Sequence, residues 1–142
     1  MKNSKEILTS LLKTTQMGQV GIRSVLDSTM APSLRTALES QLREYDSIET
    51  EAHSLATQRG WEMDDLDPAI RVMSDMMTRM RLNGRNTDSK IADMMIQGNT
   101  RAMIKGLKNI HQFDGQDQPI RILSQKLLDC ETANIRQMQM FL

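Results

Sequence analysis

The residues best suited to chemistry lie near the end of the chain. Glu131 and Asn134 stand three positions apart between Leu127 and Met138, inside an apolar stripe. That spacing puts both side chains on one helix face. A carboxylate there loses its hydration on folding, which costs several kcal/mol unless it is paired or takes up a proton. Carboxylate-bridged metal pairs need Glu-x-x-His from each of two helices and one Glu from each of two others. Here an amide occupies the imidazole position. Glu49 has a histidine nearby, but His53 follows it by four residues rather than three. The first apolar segment offers Gln16 and Gln19, and a later one offers Asp93, Gln97 and Asn99. Glu49, His53, Glu131 and Asn134 are therefore candidate metal ligands of a degenerate site, a poor match for iron or manganese. A second reading is a polar core cluster in which Gln16, Gln19, Tyr45, Glu131 and Asn134 satisfy one another and set helix register. A small-ligand or single-metal pocket around Glu131 is a third.

Three other groups invite a chemical reading. Met73, Met76, Met77 and Met80 crowd one segment, with Met94, Met95 and Met103 following. Thioethers suit Cu(I), fill irregular gaps, or make an adaptable partner surface. Arg101, Lys105 and Lys108 share one helix face. They form a solvated stripe, pair with Glu44 and Glu51, or bind phosphate. Cys130 adjoins Glu131, whose charge raises a thiol pKa and argues against a nucleophile. One cysteine and two distant histidines leave no catalytic dyad, zinc spacing or phosphate loop, so enzyme activity is not expected.

The elements that position these groups are helices. Apolar residues recur at three and four: Leu8, Leu11, Thr15, Gly18, Ile22 and Val25, then Leu34, Leu38, Gln41, Tyr45, Ile48, Ala52 and Leu55. The stripes Ile91, Met95, Gly98, Ala102, Ile110 and Ile120, Leu127, Glu131, Asn134, Met138, Phe141 follow. Ala31-Pro32, Asp67-Pro68 and Asp117-Gln118-Pro119 read as helix starts, with Asp67 and Asp117 as capping residues. Gly60 after Arg59 reads as a helix stop, and Asn83-Gly84 and Asp114-Gly115 as further breaks. Helices are expected over 4–29, 33–59, 68–82, 88–111 and 118–140. Short joints make the first two long helices, and the last two, antiparallel hairpins. The segment 60–87 is long enough to run the length of a helix of about 40 Å. The expected fold is all-α: one domain over 1–142, a four-helix bundle of two hairpins joined by a long crossover carrying a short helix. Gly18, Gly98 and Gly106 lie within helices at about 1 kcal/mol each relative to alanine, which signals close approach or open space.

Composition sets the setting. Of 142 residues, 18 are basic and 18 acidic, so the chain has no positive excess to hold a polyanion. The charge is uneven, with nine acidic and three basic residues over 33–67. Aromatics are 3 %, so the core is aliphatic and nucleic acid, which favours stacking platforms, is not an expected partner. No stretch approaches the roughly 20 apolar residues of a membrane span. Met1 to Thr15 has no apolar run ending in a small-residue cleavage site. With a single cysteine, a cytoplasmic protein is expected.

The runs Gln41–Glu49, Ser89–Thr100 and Lys126–Glu131 resemble a group of short, uncharacterised bacterial proteins that are similar to the ferritin-like bundles. The resemblance covers nearly the whole chain and implies a ferritin-like fold but no reaction. No family ligands carry over, because the Glu-x-x-His positions do not match. The expectation is a non-enzymatic bundle that forms a homodimer or binds a protein partner. The alternative is a metal-binding or redox protein built around Glu131.

Overall fold

The structure, a computed structural model, describes residues 1–82, 87–113 and 115–142. The Asn83-Gly84 break, Asp114 and the side chain of Met80 lie outside the described residues. Those residues form five helices and no strand, with one isolated bridge between Lys2 and Phe113.

Each helix begins and ends for a local reason. Helix α1, Ser4–Leu26, opens with a reciprocal cap. Asn3 Oδ1 accepts the Glu6 N–H at 2.9 Å and Glu6 Oε1 accepts the Asn3 N–H at 3.5 Å. It stops three residues before the expected end at 29. Arg35 takes over there, donating to the carbonyls of Leu26 at 2.7 Å and Ser28 at 3.0 Å. Helix α2, Pro32–Gln58, has no side-chain cap of its own. Its Ala31 N–H is instead taken by Asp88 Oδ1 at 3.1 Å. It ends at Gly60, whose φ of 68° is left-handed. The Trp61 N–H returns to the Ala56 carbonyl at 2.9 Å and the Gly60 N–H to Thr57 at 3.1 Å. The Arg59 guanidinium lies 5.3 Å from the Trp61 ring centroid.

Helix α3, Pro68–Arg81, is capped by Asp67, which accepts from the Ala69 N–H at 2.9 Å. Helices α4, Thr87–Gln112, and α5, Gln118–Gln139, complete the set. Asp117 stands at the N-cap position of α5 as expected, but its carboxylate makes no capping hydrogen bond. It is drawn to Arg59, whose Nη2 donates to Oδ1 at 2.7 Å. That hydrogen bond holds the Asp117 carboxyl down to about 2.

The long helices pack as α1 on α2, α4 on α5, α2 on α5 and α1 on α4, while α3 touches α1. Hydrogen bonds at the ends give the directions. The Lys2 N–H donates to the Gln112 carbonyl at 2.7 Å, so α1 and α4 run antiparallel. Gln41 near the start of α2 donates to Gln137 near the end of α5 at 2.8 Å. Arg59 meets Asp117 at the other end, so α2 and α5 are also antiparallel. Asp88 beside Ala31 places the starts of α2 and α4 at one end.

The core is aliphatic, with Leu8, Leu12, Ile22, Leu34, Leu38, Ile48, Ile91, Ile120 and Met138 fully buried. Each such side chain contributes about 1.5–3 kcal/mol by leaving water. Among the described residues, no helix is long and apolar enough to cross a membrane.

Candidate functional site

Helical rotation brings Tyr45 from α2, Asn99 from α4, and Glu131 and Asn134 from α5 to one buried place. Tyr45 is at its centre because Gly18 of α1 has no side chain. A Cβ at that glycine would stand 2.6 Å from Tyr45 Cζ. The ring lies across the α1 backbone and its hydroxyl reaches the far side of the core. Tyr45 Oη lies 3.0 Å from Asn99 Oδ1 and 2.8 Å from Glu131 Oε2. Asn134 Nδ2 donates to Tyr45 Oη at 3.3 Å. Asn99 Nδ2 donates to the Met95 carbonyl at 2.7 Å, which fixes the end of the amide that faces Tyr45.

The protons do not balance when Glu131 is charged. Tyr45 has one hydroxyl proton and two acceptors facing it. The Tyr45 hydroxyl donates to Glu131 Oε2 or to Asn99 Oδ1; when Glu131 takes up a proton, its Oε2–H can donate to Tyr45 Oη and free the Tyr45 hydroxyl to donate to Asn99 Oδ1. Burial favours that state and raises the Glu131 carboxyl to about 7, against the opposing effect of the Tyr45 hydrogen bond. Burial also raises Tyr45, reinforced by the charge of Glu131, so the phenol keeps its proton. One atom stays unserved in either state. Glu131 is 1 % exposed, yet its Oε1 has no hydrogen-bond partner among the described residues.

Glu131 and Tyr45 also form part of the wall of a cleft of about 430 Å³ between α1 and α4, beside α3. Met17, Ile22, Leu66, Met94 and Met95 supply apolar wall. Thr78 of α3 contacts Ser24 of α1 at 3.1 Å. Because the Ser24 hydroxyl donates to the Gly21 carbonyl, Thr78 is the donor in that pair. Gly21 and Gly98 line the cleft and nothing stands within 4 Å of where their Cβ atoms would be.

The expected five-residue polar cluster is split. Gln16 and Gln19 do not join Tyr45, because their positions on α1 face the edge of α2 instead. Gln16 Nε2 donates to Asp65 at 2.8 Å and Glu49 at 3.2 Å, while its Oε1 accepts the Leu66 N–H at 3.1 Å. Gln19 Nε2 donates to Asp46 at 2.8 Å and Glu49 at 3.3 Å. The four candidate metal ligands fall apart in the same way. Glu49 belongs to these amides, His53 points outward, and Glu131 and Asn134 meet at Tyr45. Among the described residues, no group of three or more His, Cys, Asp or Glu is placed to hold a metal ion.

Arg101, Lys105 and Lys108 are all exposed, as a solvated stripe requires. Arg101 and Lys105 also border the cleft, and among the described residues none of the three pairs with Glu44 or Glu51. Glu51 pairs with Lys126 of α5 at 2.7 Å. Cys130 is buried and its thiol is pushed up to about 12, by burial first and then by Glu44. The residue that sequence reasoning placed least well is Asn99. The α4 stripe predicted an inward Gly98, and the structure turns its neighbour inward instead.

No family model, curated protein or solved structure matches the chain.

Proposed function

We propose that this protein is a ferritin-like four-helix bundle that binds a small organic molecule in the cleft at Glu131. The helix order and directions support the bundle: two antiparallel hairpins, with α2 and α4 starting at the same end across a crossover containing α3. The donor set argues against a di-metal centre in this bundle. Glu131 meets a phenol, which in turn meets two carboxamides, where two cations need several carboxylates. A single buried thiol accords with a cytoplasmic setting.

One observation carries the ligand reading. A carboxyl with an unpartnered oxygen, nearly all of it buried, forms part of the wall of a concave, mostly apolar space. Such convergence of a few polar groups in an apolar pocket is the usual form of a small-molecule site. The test uses a neutral solvatochromic dye. Saturable binding that Gly98→Leu abolishes, with the helical spectrum and melting temperature kept, supports the cleft. No saturable binding, or equal binding by the variant, ends this reading.

The outer face of α3 favours a second reading. Val72, Met73, Met76 and Met77 are all more than half exposed, an adaptable apolar face of the kind that docks a partner helix or a second copy. Light scattering at rising concentration tests self-association. A monomer throughout counts against a homodimer.

A further inference from the structure

The charge of the cleft differs from that of the chain. Net charge is zero overall, but among the described residues the cleft is lined by three cations, Lys13, Arg101 and Lys105, and by Glu131 as its one acidic residue. None of the three cations has an ion-pair partner among the described residues. Arg101 and Lys105 are exposed and Lys13 is half-buried, whereas Tyr45, Asn99 and Glu131 are buried. The cations therefore stand at the mouth and the hydroxyl–amide–carboxyl group at the inner end. Between them lies apolar wall from Met17, Met94 and Met95. Along the axis of α4, at 1.5 Å per residue, Arg101 stands about 3 Å and Lys105 about 9 Å from Asn99.

From this polarity we infer that the cleft takes an amphiphilic organic anion. Its head group lies against Lys13, Arg101 and Lys105, its apolar body lies on the methionines, and a hydroxyl or amine at its far end meets Glu131. The inference rests on the cleft being a ligand site and adds the chemical class. Guanidinium and ammonium groups at the mouth supply charge-assisted hydrogen bonds to a carboxylate or phosphate head. Unbranched thioether side chains adapt to a flexible chain. A protonated Glu131 leaves its Oε1 as an acceptor, and an ionised one pairs with an amine.

A matched eight-carbon series tests this on the intact chain by calorimetry: octanoate, ω-hydroxyoctanoate, octanol and octylammonium. Octanoate is expected to bind about tenfold more tightly than octanol, the worth of one charge-assisted contact, with octylammonium weakest. The ω-hydroxy acid is expected to bind more tightly than octanoate, an advantage that Glu131→Leu removes. The triple variant Lys13→Gln, Arg101→Gln, Lys105→Gln lies at exposed or half-exposed positions. It is expected to lower octanoate affinity about tenfold and leave octanol unchanged. Octanoate and octanol binding equally, in the native chain and in the triple variant, overturns the anion assignment while the cleft reading stands. Failure of all four to bind, together with the neutral dye, overturns both. A phosphate head is separated from a carboxylate by octyl phosphate in place of octanoate. Tighter binding of either over octanol keeps the class and names the head.

Discussion

Gln16 and Tyr45 each carry polar atoms into the packed helices, and the two surroundings are completed differently. Around Gln16 and Gln19, amide protons meet the carboxylates Asp46, Glu49 and Asp65, and the Gln16 oxygen takes the Leu66 N–H. That region fastens the chain leading into α3 onto α1, and its acids reach water. Around Tyr45 there are more acceptors than protons, the carboxyl is buried, and one oxygen is left over. A complete network explains itself as structure. An incomplete one beside a cleft leaves room for an outside partner, and the proposed ligand site at Tyr45 and Glu131 rests on this contrast.

The contrast can be broken most severely at its centre. Tyr45→Phe removes the hydroxyl that serves Asn99, Glu131 and Asn134, leaving buried groups unpaired, and is expected to cost about 4 kcal/mol in chemical denaturation. Next comes pH. The Glu131 carboxyl rises from its ordinary 4.5 to about 7 in the folded chain, so the native state binds the proton more tightly than the unfolded one. Stability is therefore full below the ordinary carboxylate range and falls as pH rises toward 7, by roughly 3 kcal/mol. Glu131→Gln should flatten that slope and be the more stable form at pH above 7, as measured by urea unfolding across pH. An unchanged slope would mean that Glu131 binds its proton no more tightly in the native state than in the unfolded one.

Two glycine variants sharpen the comparison at lower amplitude. Gly18→Ala forces a Cβ into the Tyr45 ring and should destabilise by about 2 kcal/mol. Gly98→Ala meets open space and should stabilise by up to about 1 kcal/mol, since helix propensity alone then decides. Equal effects would deny the difference between close approach and cleft. The smallest effect belongs to the completed network. Gln16→Ala is expected to cost about 1 kcal/mol, because water can take over the exposed carboxylates. A loss matching that of Tyr45→Phe would erase the distinction between the two regions.

Much of this was legible along the chain. The stripe through Leu127, Glu131, Asn134 and Met138 predicts an inward carboxyl and amide, and all four side chains are buried. Gly18 and Gly98 both read as glycines with a reason, but periodicity could not say which marked contact and which marked space. Gln16 and Gln19 lie on a buried face as well, so their stripe could not show that they turn to Asp46, Glu49 and Asp65. Asn99 was named among the polar residues of its segment but left out of the cluster, because a stripe drawn through Gly98 is one residue, or a rotation of 100°, away.

The sequence by itself determined the helices and their caps at Asp67 and Gly60. Those depend on neighbours within about one turn, where the chain enforces proximity. Tertiary structure alone decided that Tyr45, Asn99, Glu131 and Asn134 meet, that Asp117 turns to Arg59, and that Arg101 and Lys105 line a cleft. These contacts join residues dozens of positions apart. They are set by the rotation and offset of whole helices, which no local spacing records.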